Sequence, residues 1–195
     1  MLRLHDVSLR FGDRQILDRC SLRLERGQRL ALMGPSGCGK TTLARIALSL
    51  LVPDTGTVET SFTKVSAVFQ EPRLLPWLTT EENVNLVLSD STETLPQARA
   101  WLEKLELGDA AELYPSALSG GMQQRLSIAR ALAVQPEILI MDEAFKGLDE
   151  ELKARVLHVV DDALGDCALL LITHSEQEAL SLGCTPLRYH NGRFS

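Results

Sequence analysis

Arg29-Leu-Ala-Leu-Met33 followed by Gly34-Pro35-Ser36-Gly37-Cys38-Gly39-Lys40-Thr41-Thr42 is the stretch that decides the fold class. A short, largely apolar strand runs into a glycine-rich turn, and a helical stretch from Thr41 to Leu51 follows. The pattern G-x-x-x-x-G-K-[ST] between a strand and a helix is a phosphate-binding loop. Its glycines let successive backbone N–H groups curl around an anion, and the helix N-terminus adds its positive dipole end. Lys40 can reach the β- and γ-phosphates of a nucleotide, and the Thr41 hydroxyl can ligate Mg²⁺.

Outward from that loop the chain alternates strands and helices. Leu2, Leu4, Val7 and Leu9 alternate with polar neighbours, and Ile16 to Leu24 does the same through Ile16, Cys20, Leu22 and Leu24. Joined near Phe11-Gly12-Asp13, these two strands predict an antiparallel element. Val65 to Phe69, Ile138 to Met141 and Ala168 to Ile172 read as further strands. Between Thr79 and Leu113 the character is helical, with Leu95, Ala98, Leu102 and Leu105 on one face. Helices are also expected over Met122 to Ala133 and over Glu150 to Ala163, the latter with Leu152, Val156, Val159 and Ala163 inward. Continuous apolar strands alternating with helices predict an α/β fold with a mostly parallel sheet core. The expected organisation is one domain over residues 1–195 with a helical insertion over roughly 72–133. Three strand ends, at Met33, Met141 and Ile172, deliver polar residues to one edge, and open α/β sheets bind ligands at the carboxyl ends of their strands.

Composition bounds the partners. The 195 residues carry 20 Lys+Arg against 26 Asp+Glu, a formal charge of −6, with 45% hydrophobic and 5% aromatic residues. That apolar content excludes a disordered chain. The acidic balance argues against nucleic acid as the main partner, because counterion release rewards clustered Lys and Arg. The longest apolar runs, Ala168 to Ile172 and Ala47 to Val52, fall far short of the roughly 20 residues that span a bilayer. The first six residues lack the apolar core of a signal peptide, so an intracellular protein is expected. Cys20, Cys38, Cys167 and Cys184 form no Cys-x-x-Cys pair and no metal-ligand spacing with the four histidines, which predicts reduced, incidental thiols.

Two more elements carry chemistry. Ile138-Leu-Ile-Met-Asp142-Glu143 is a buried strand ending in two carboxylates. Beside a phosphate loop, Asp142 is the expected partner of Mg²⁺ and Glu143 the group that orients or deprotonates an attacking water. Ser119-Gly120-Gly121-Met122-Gln-Gln-Arg125 opens a helix, a second N-terminus able to hold an anion. A capping box would place Glu or Gln three residues after Ser119, and Met122 stands there instead. Two phosphate-accepting helix starts are more than one nucleotide ordinarily requires.

On Gly34 to Thr41, Leu118-Ser119-Gly120-Gly121-Met122 and Asp142-Glu143, which follow one another in the family's order, the protein resembles ATP-binding subunits of ABC transporters over nearly its whole length. The resemblance implies a P-loop ABC cassette whose signature, Leu118 to Met122, contacts the ATP held by a partner subunit, two subunits sandwiching two MgATP. It further implies that Phe11 stacks on adenine, Gln70 senses Mg²⁺ and water, and His174 hydrogen-bonds the γ-phosphate. Gly147-Leu148-Asp149 resembles the loop that signals between subunits. Taken alone, each of these is an ordinary surface, turn or core residue.

The run Leu74, Leu75, Trp77 and Leu78 beside two prolines either packs the helical insertion or lines a groove for a membrane permease subunit. Its wording is similar to importers of nitrate, sulfonates and taurine. Such importers imply a permease, a homodimer or pseudo-dimer of cassettes, a solute-binding protein, and a place on the cytoplasmic face of the membrane. The alternative is a soluble ABC-type ATPase acting on nucleic acid or ribosomes, which the acidic charge and the lack of a long coiled coil disfavour. Two departures stand out. Ala144 replaces the proline usual after the glutamate, and the 21 residues after His174 (195 − 174) leave no room for a regulatory domain, with Gly183 to Ser195 unlike the usual final strands.

Overall fold

The computed structural model describes residues 1–89, 91–190 and 193–194. In chain order the strands and helices begin with β1 (Leu2–Phe11), β2 (Arg14–Leu24), β3 (Arg29–Met33), α1 (Lys40–Ala47), β4 (Thr55–Thr60), β5 (Val65–Val68), α2 (Thr80–Asn85) and α3 (Leu95–Lys104). They continue with α4 (Gly120–Ala133), β6 (Ile138–Asp142), α5 (Glu150–Leu164), β7 (Ala168–Ile172), α6 (Glu176–Ser181), β8 (Thr185–His190) and β9 (Arg193–Phe194). The chain divides into two compact units. The first holds Met1–Val65, Glu137–Asp142 and Gly165–Ser195, and the second holds Ser66–Pro136 and Glu143–Leu164.

In the first unit, β6, β7, β3 and β8 lie side by side and parallel, with β9 antiparallel to β8 at the end. Every residue of β6 and β7 is buried, as is all of β3 beyond Arg29. Strands buried on both faces need apolar runs rather than alternation, which is why Ile138 to Met141 and Ala168 to Ile172 are continuous. Each Leu, Ile or Met so placed contributes about 1.5–3 kcal/mol relative to exposure. α1 lays Leu43, Ala44, Ile46 and Ala47 inward.

The antiparallel element is a three-stranded sheet in the order β2-β1-β4. Its buried side chains are Leu2, Leu4, Val7 and Leu9 on β1 and Leu17, Cys20, Leu22 and Leu24 on β2. Both series contain one step of three instead of two. The steps coincide with irregular register and with Asp6 and Arg19 at φ 48° and 44°. A bulge adds one residue and returns the following side chains to the same face. That correction moves Leu17, not Ile16, into the core. Opposite the β1 bulge sits Gly56, where a Cβ would come within 2.5 Å of the His5 carbonyl oxygen and 2.6 Å of that of Asp6. Only glycine lets the backbones approach so closely.

The second unit packs α2, α3, α4 and α5. α3 buries Ala98 and Leu102, with Leu105 buried at its end, while Leu95 is only half-buried. α5 turns a different stripe inward from that expected. Val156, Leu157, Val160 and Leu164 are buried, whereas Leu152 and Val159 are half-buried and Ala163 is exposed. The larger side chains at the adjacent helical positions won the core, since Leu157 and Leu164 bury more apolar area than Ala163 could. α2 opens with a reciprocal cap: Glu82 N–H donates to Thr79 Oγ1 at 3.3 Å and Thr79 N–H to Glu82 Oε2 at 2.7 Å. Arg125 on α4 is buried and donates from Nη1 to the carbonyls of Leu105 and Glu106 at 2.6 and 2.7 Å. Desolvation pulls its guanidinium below the ordinary arginine value.

The remaining differences are at boundaries. α1 stops at Ala47 rather than Leu51, because Ser49 has φ 56° and the backbone turns there. β5 ends at Val68, α4 begins two residues before Met122, and α5 reaches Leu164. β4 and the short α6 have no counterpart in the sequence reading, and β8 and β9 fall in the segment expected not to resemble final strands. Asn191, Gly192 and Ser195 of that segment lie outside the described residues. No helix among the described residues is long and apolar enough to cross a membrane.

Candidate nucleotide site

The register of the first unit aligns three strand ends. Leu32 pairs with Ile172, and Ile172 with Asp142. Gly34 and its loop, Thr173-His174 and the Asp142 carboxylate therefore leave the same edge of the parallel sheet. The loop bends through Gly37 at φ 77° and Gly39 at φ 102°, values that disfavour any side chain. Gly39 is the N-cap of α1, and no side chain caps that helix start. Its first-turn N–H groups are thus directed at the loop without a side-chain acceptor.

Lys40 is only 5% exposed. Its Nζ donates to the carbonyls of Gly34 at 2.8 Å and Pro35 at 3.0 Å, and lies 3.9 Å from Cys38 Sγ. An ammonium in such a cradle is held by dipoles, so an anion arriving at the loop gains its full charge. Thr41 and Thr42 follow on the helix, both half-buried. Pro35 and Ser36 form the exposed rim of the loop, and Cys38 is buried under it.

Asp142 is 4% exposed at the end of β6. Past β7, a small network shapes the turn that carries His174. The Thr173 hydroxyl donates to the buried Glu178 carboxylate and accepts from Ser175 N–H, and Ser175 Oγ caps α6 through Glu178 N–H at 3.2 Å. His174 itself is exposed. Phe11 closes the β1–β2 hairpin at 56% exposure, so it is not a core aromatic but an open ring in the unit that also holds the loop.

The other expected site residues belong to the second unit. Gln70 is exposed two residues past β5, in a segment that α4 grips. Gln124 Nε2 donates to the Phe69 carbonyl at 3.3 Å, and Arg130 Nη2 to those of Pro72 and Arg73 at 3.2 and 2.9 Å. Ser119 caps α4 by accepting from Met122 N–H at 3.3 Å, without the return bond of a capping box. A Cβ on Gly121 would sit 3.4 Å from Leu148 Cδ2 and 3.5 Å from the Gly147 carbonyl oxygen. The start of α4 and the Gly147–Asp149 loop therefore meet, and Gly120 beside them has open space. Asp149 caps α5, accepting from Leu152 N–H at 2.9 Å. Glu143 has φ 49° and lies 3.5 Å from Lys146 Nζ. A left-handed backbone at a non-glycine costs on the order of 1–2 kcal/mol and is characteristic of functional turns. The buried Ala144 follows it.

Two supports escaped the sequence reading. The Thr173–Glu178 pair has no periodic signature. Thr79-Thr-Glu-Glu82, by contrast, is a legible capping box that sets the start of α2.

A glycine phosphate loop at the head of a parallel sheet, with an acid at the end of the next-but-one strand, defines a P-loop nucleotide hydrolase. Residues 17–146 match the family model described as ABC transporter. The chain is 38% identical over 187 residues to the aliphatic sulfonates import ATP-binding protein SsuB 1 of Nocardia farcinica, covering 95% of this chain and 76% of that protein. It is 37% identical over 213 residues to the sulfate/thiosulfate import ATP-binding protein CysA of Vibrio cholerae, covering 98% and 56%. A dimeric ATP-binding cassette in a post-hydrolysis state, bound to ADP and Pi, superposes with TM-score 0.89 at 27% identity, covering 100% of this chain and 97% of that one. The chain belongs to the ABC transporter family and is an ATP-binding, ATP-hydrolysing cassette. It spans between about half and three quarters of the length of these two transport relatives.

The residues fit MgATP. The uncapped start of α1, the buried Lys40 and the two positive-φ glycines suit a polyphosphate. Thr41 and Asp142 offer hydroxyl and carboxylate oxygens, the hard donors that Mg²⁺ prefers.

Proposed function

We propose that this chain is the ATPase subunit of an ABC importer, dimerising around two MgATP on the cytoplasmic face of the membrane to energise a separate permease. The observation that carries the reading is the alignment of Gly34, Thr173-His174 and Asp142 on one sheet edge, together with a second uncharged helix start at Ser119–Gly121. Lys40 and the loop amides stabilise charge on the β- and γ-phosphates. Gly34, Pro35, Ser36, Gly37, Cys38, Gly39, Thr41 and Thr42 wrap the phosphates, and Phe11 offers its ring to adenine. Thr41, Gln70 and Asp142 hold Mg²⁺, which when bound neutralises charge on the transferred group. Glu143 accepts a proton from the attacking water, and His174 hydrogen-bonds the γ-phosphate. Ser119, Gly120, Gly121 and Asp149 act on the nucleotide held by the partner subunit.

The permease contact is assigned to the loop carrying Leu74 to Leu78. Asn83 holds this loop rigidly: its Oδ1 accepts from Leu75 N–H at 2.9 Å, and its Nδ2 donates to the carbonyls of Leu75, Leu78 and Thr79. Trp77 is left 69% exposed, an aromatic that its own unit does not bury. The import proteins named among the relatives favour uptake over export and a small sulfur oxyanion as cargo. A solute-binding protein would then complete the complex.

The test is steady-state ATP hydrolysis and gel filtration of purified wild type and Glu143→Gln. Wild type should hydrolyse ATP, and the variant should accumulate as an ATP-bound dimer with little turnover. Near-normal turnover by Glu143→Gln would remove the base assignment.

A further inference from the structure

Arg14 lies near the phosphate loop and has no part in the nucleotide site proposed for this chain. It opens β2 and is the register partner of Phe11, so the two close the hairpin and project from the same face of it. The turn between them is locked by a different arginine. Arg10 donates from Nη1 to Gln15 Oε1 at 3.1 Å and from Nη2 to the Asp13 carbonyl at 2.9 Å. Arg10 is thereby used for structure, and among the described residues no carboxylate pairs with Arg14.

β2 then runs along the loop. A Cβ on Gly39 would lie 2.8 Å from Leu17 Cδ2 and 3.0 Å from the Ile16 carbonyl oxygen. One on Gly37 would lie 3.8 Å from Arg14 Nη2. The guanidinium thus stands at contact distance from the space that a side chain at position 37 would fill, over a glycine that leaves that space open. Lys40 is buried and bound to the Gly34 and Pro35 carbonyls, whereas Arg14 is exposed. A planar guanidinium matches phosphate oxygens in a way a solvated surface charge does not.

We propose that Arg14 is a nucleotide-binding residue that closes over the phosphate chain in the same subunit, pairing with the phosphates while its hairpin partner Phe11 carries the base. The inference rests on MgATP occupying this loop. It makes the β1–β2 hairpin a two-part clamp, a ring for adenine and a cation for phosphate, set by one register pair.

Calorimetric titration of the full chain with MgATP, MgADP and adenosine, in wild type, Arg14→Ala and Arg14→Lys, tests it. Arg14→Ala should weaken MgATP and MgADP about tenfold and leave adenosine unchanged. Arg14→Lys should recover part of the loss, and hydrolysis should show a raised KM with kcat little altered. Equal thermal melting of the three proteins without nucleotide excludes misfolding. Unchanged MgATP and MgADP affinity in Arg14→Ala overturns the proposal, as does an equal loss for adenosine, which would mean that Arg14 acts through Phe11. A wild type that binds no nucleotide would overturn the underlying reading and the proposal together; normal wild-type binding with an indifferent Arg14→Ala overturns the proposal alone.

Discussion

Gly39→Ala separates backbone strain from steric conflict at the loop. Gly39 has φ 102° and ψ 5°, so an alanine there costs about 1–2 kcal/mol for the left-handed backbone. Its Cβ would also meet Leu17 Cδ2 at 2.8 Å and the Ile16 carbonyl oxygen at 3.0 Å. Leu17 is fully buried and cannot swing aside freely, and overpacking of that kind costs about 1–3 kcal/mol. The sum is about 2–5 kcal/mol. With about 2–4 °C per kcal/mol for a domain of this size, the melting temperature should fall by roughly 4–20 °C. Gly12→Ala is the control, since Gly12 has φ 57° and nothing lies within 4 Å of its added Cβ. It should lose only about 1–2 kcal/mol. Urea unfolding of both variants, with and without MgADP, reads the difference, and MgADP should stabilise Gly12→Ala but not Gly39→Ala. Equal stability of the two variants, or normal MgADP stabilisation of Gly39→Ala, would refute the argument that β2 and the loop are in contact at this glycine.

Arg125→Ala leaves the Leu105 and Glu106 carbonyls without their donor inside the second unit, and should cost about 2–4 kcal/mol in urea unfolding. Trp77→Ala should change stability by less than about 0.5 kcal/mol while abolishing co-purification with a permease, because its ring is exposed. Burial pushes the Cys167 thiol up to about 11 from 9.0. Its neutral form is favoured on folding, so its contribution is intact below pH 9 and is lost as pH rises through about 11. Alkylation at pH 8 should therefore reach Cys184, which is half-buried, well before Cys167, with mass spectrometry of the modified peptides as the readout.

Much of the architecture was readable locally. The phosphate loop needs glycines and a lysine at fixed offsets, and buried parallel strands need apolar runs, so β3, β6, β7 and α1 declare themselves in a few consecutive residues. The irregular step in Leu2, Leu4, Val7, Leu9 marks the bulge at Asp6, whereas the second bulge, at Arg19, which puts Leu17 in place of Ile16 in the core, needed the pairing of β1 with β2. β4 was missed because Thr55–Thr60 is polar and earns its place only by edge pairing with β1. The inward stripe of α5 was mistaken by one helical position, since Val159 and Val160 are equal candidates until the surrounding helices select one. The C-terminal strands were likewise decided by β3, which offers β8 a partner that Thr185 to His190 does not advertise.

Sequence alone therefore determined which motifs are present: a phosphate loop, a terminal acid pair and a second helix start opening on Ser119-Gly120-Gly121, each written in a few residues because each depends on backbone conformations that neighbouring residues impose. Tertiary structure decided what those motifs stand beside. Strand register brought Asp142 and His174 to the edge where the loop begins, and a hairpin partner delivered Arg14 to Gly37. Such meetings join residues far apart in the chain through hydrogen-bond pairing and packing, and no local pattern encodes them.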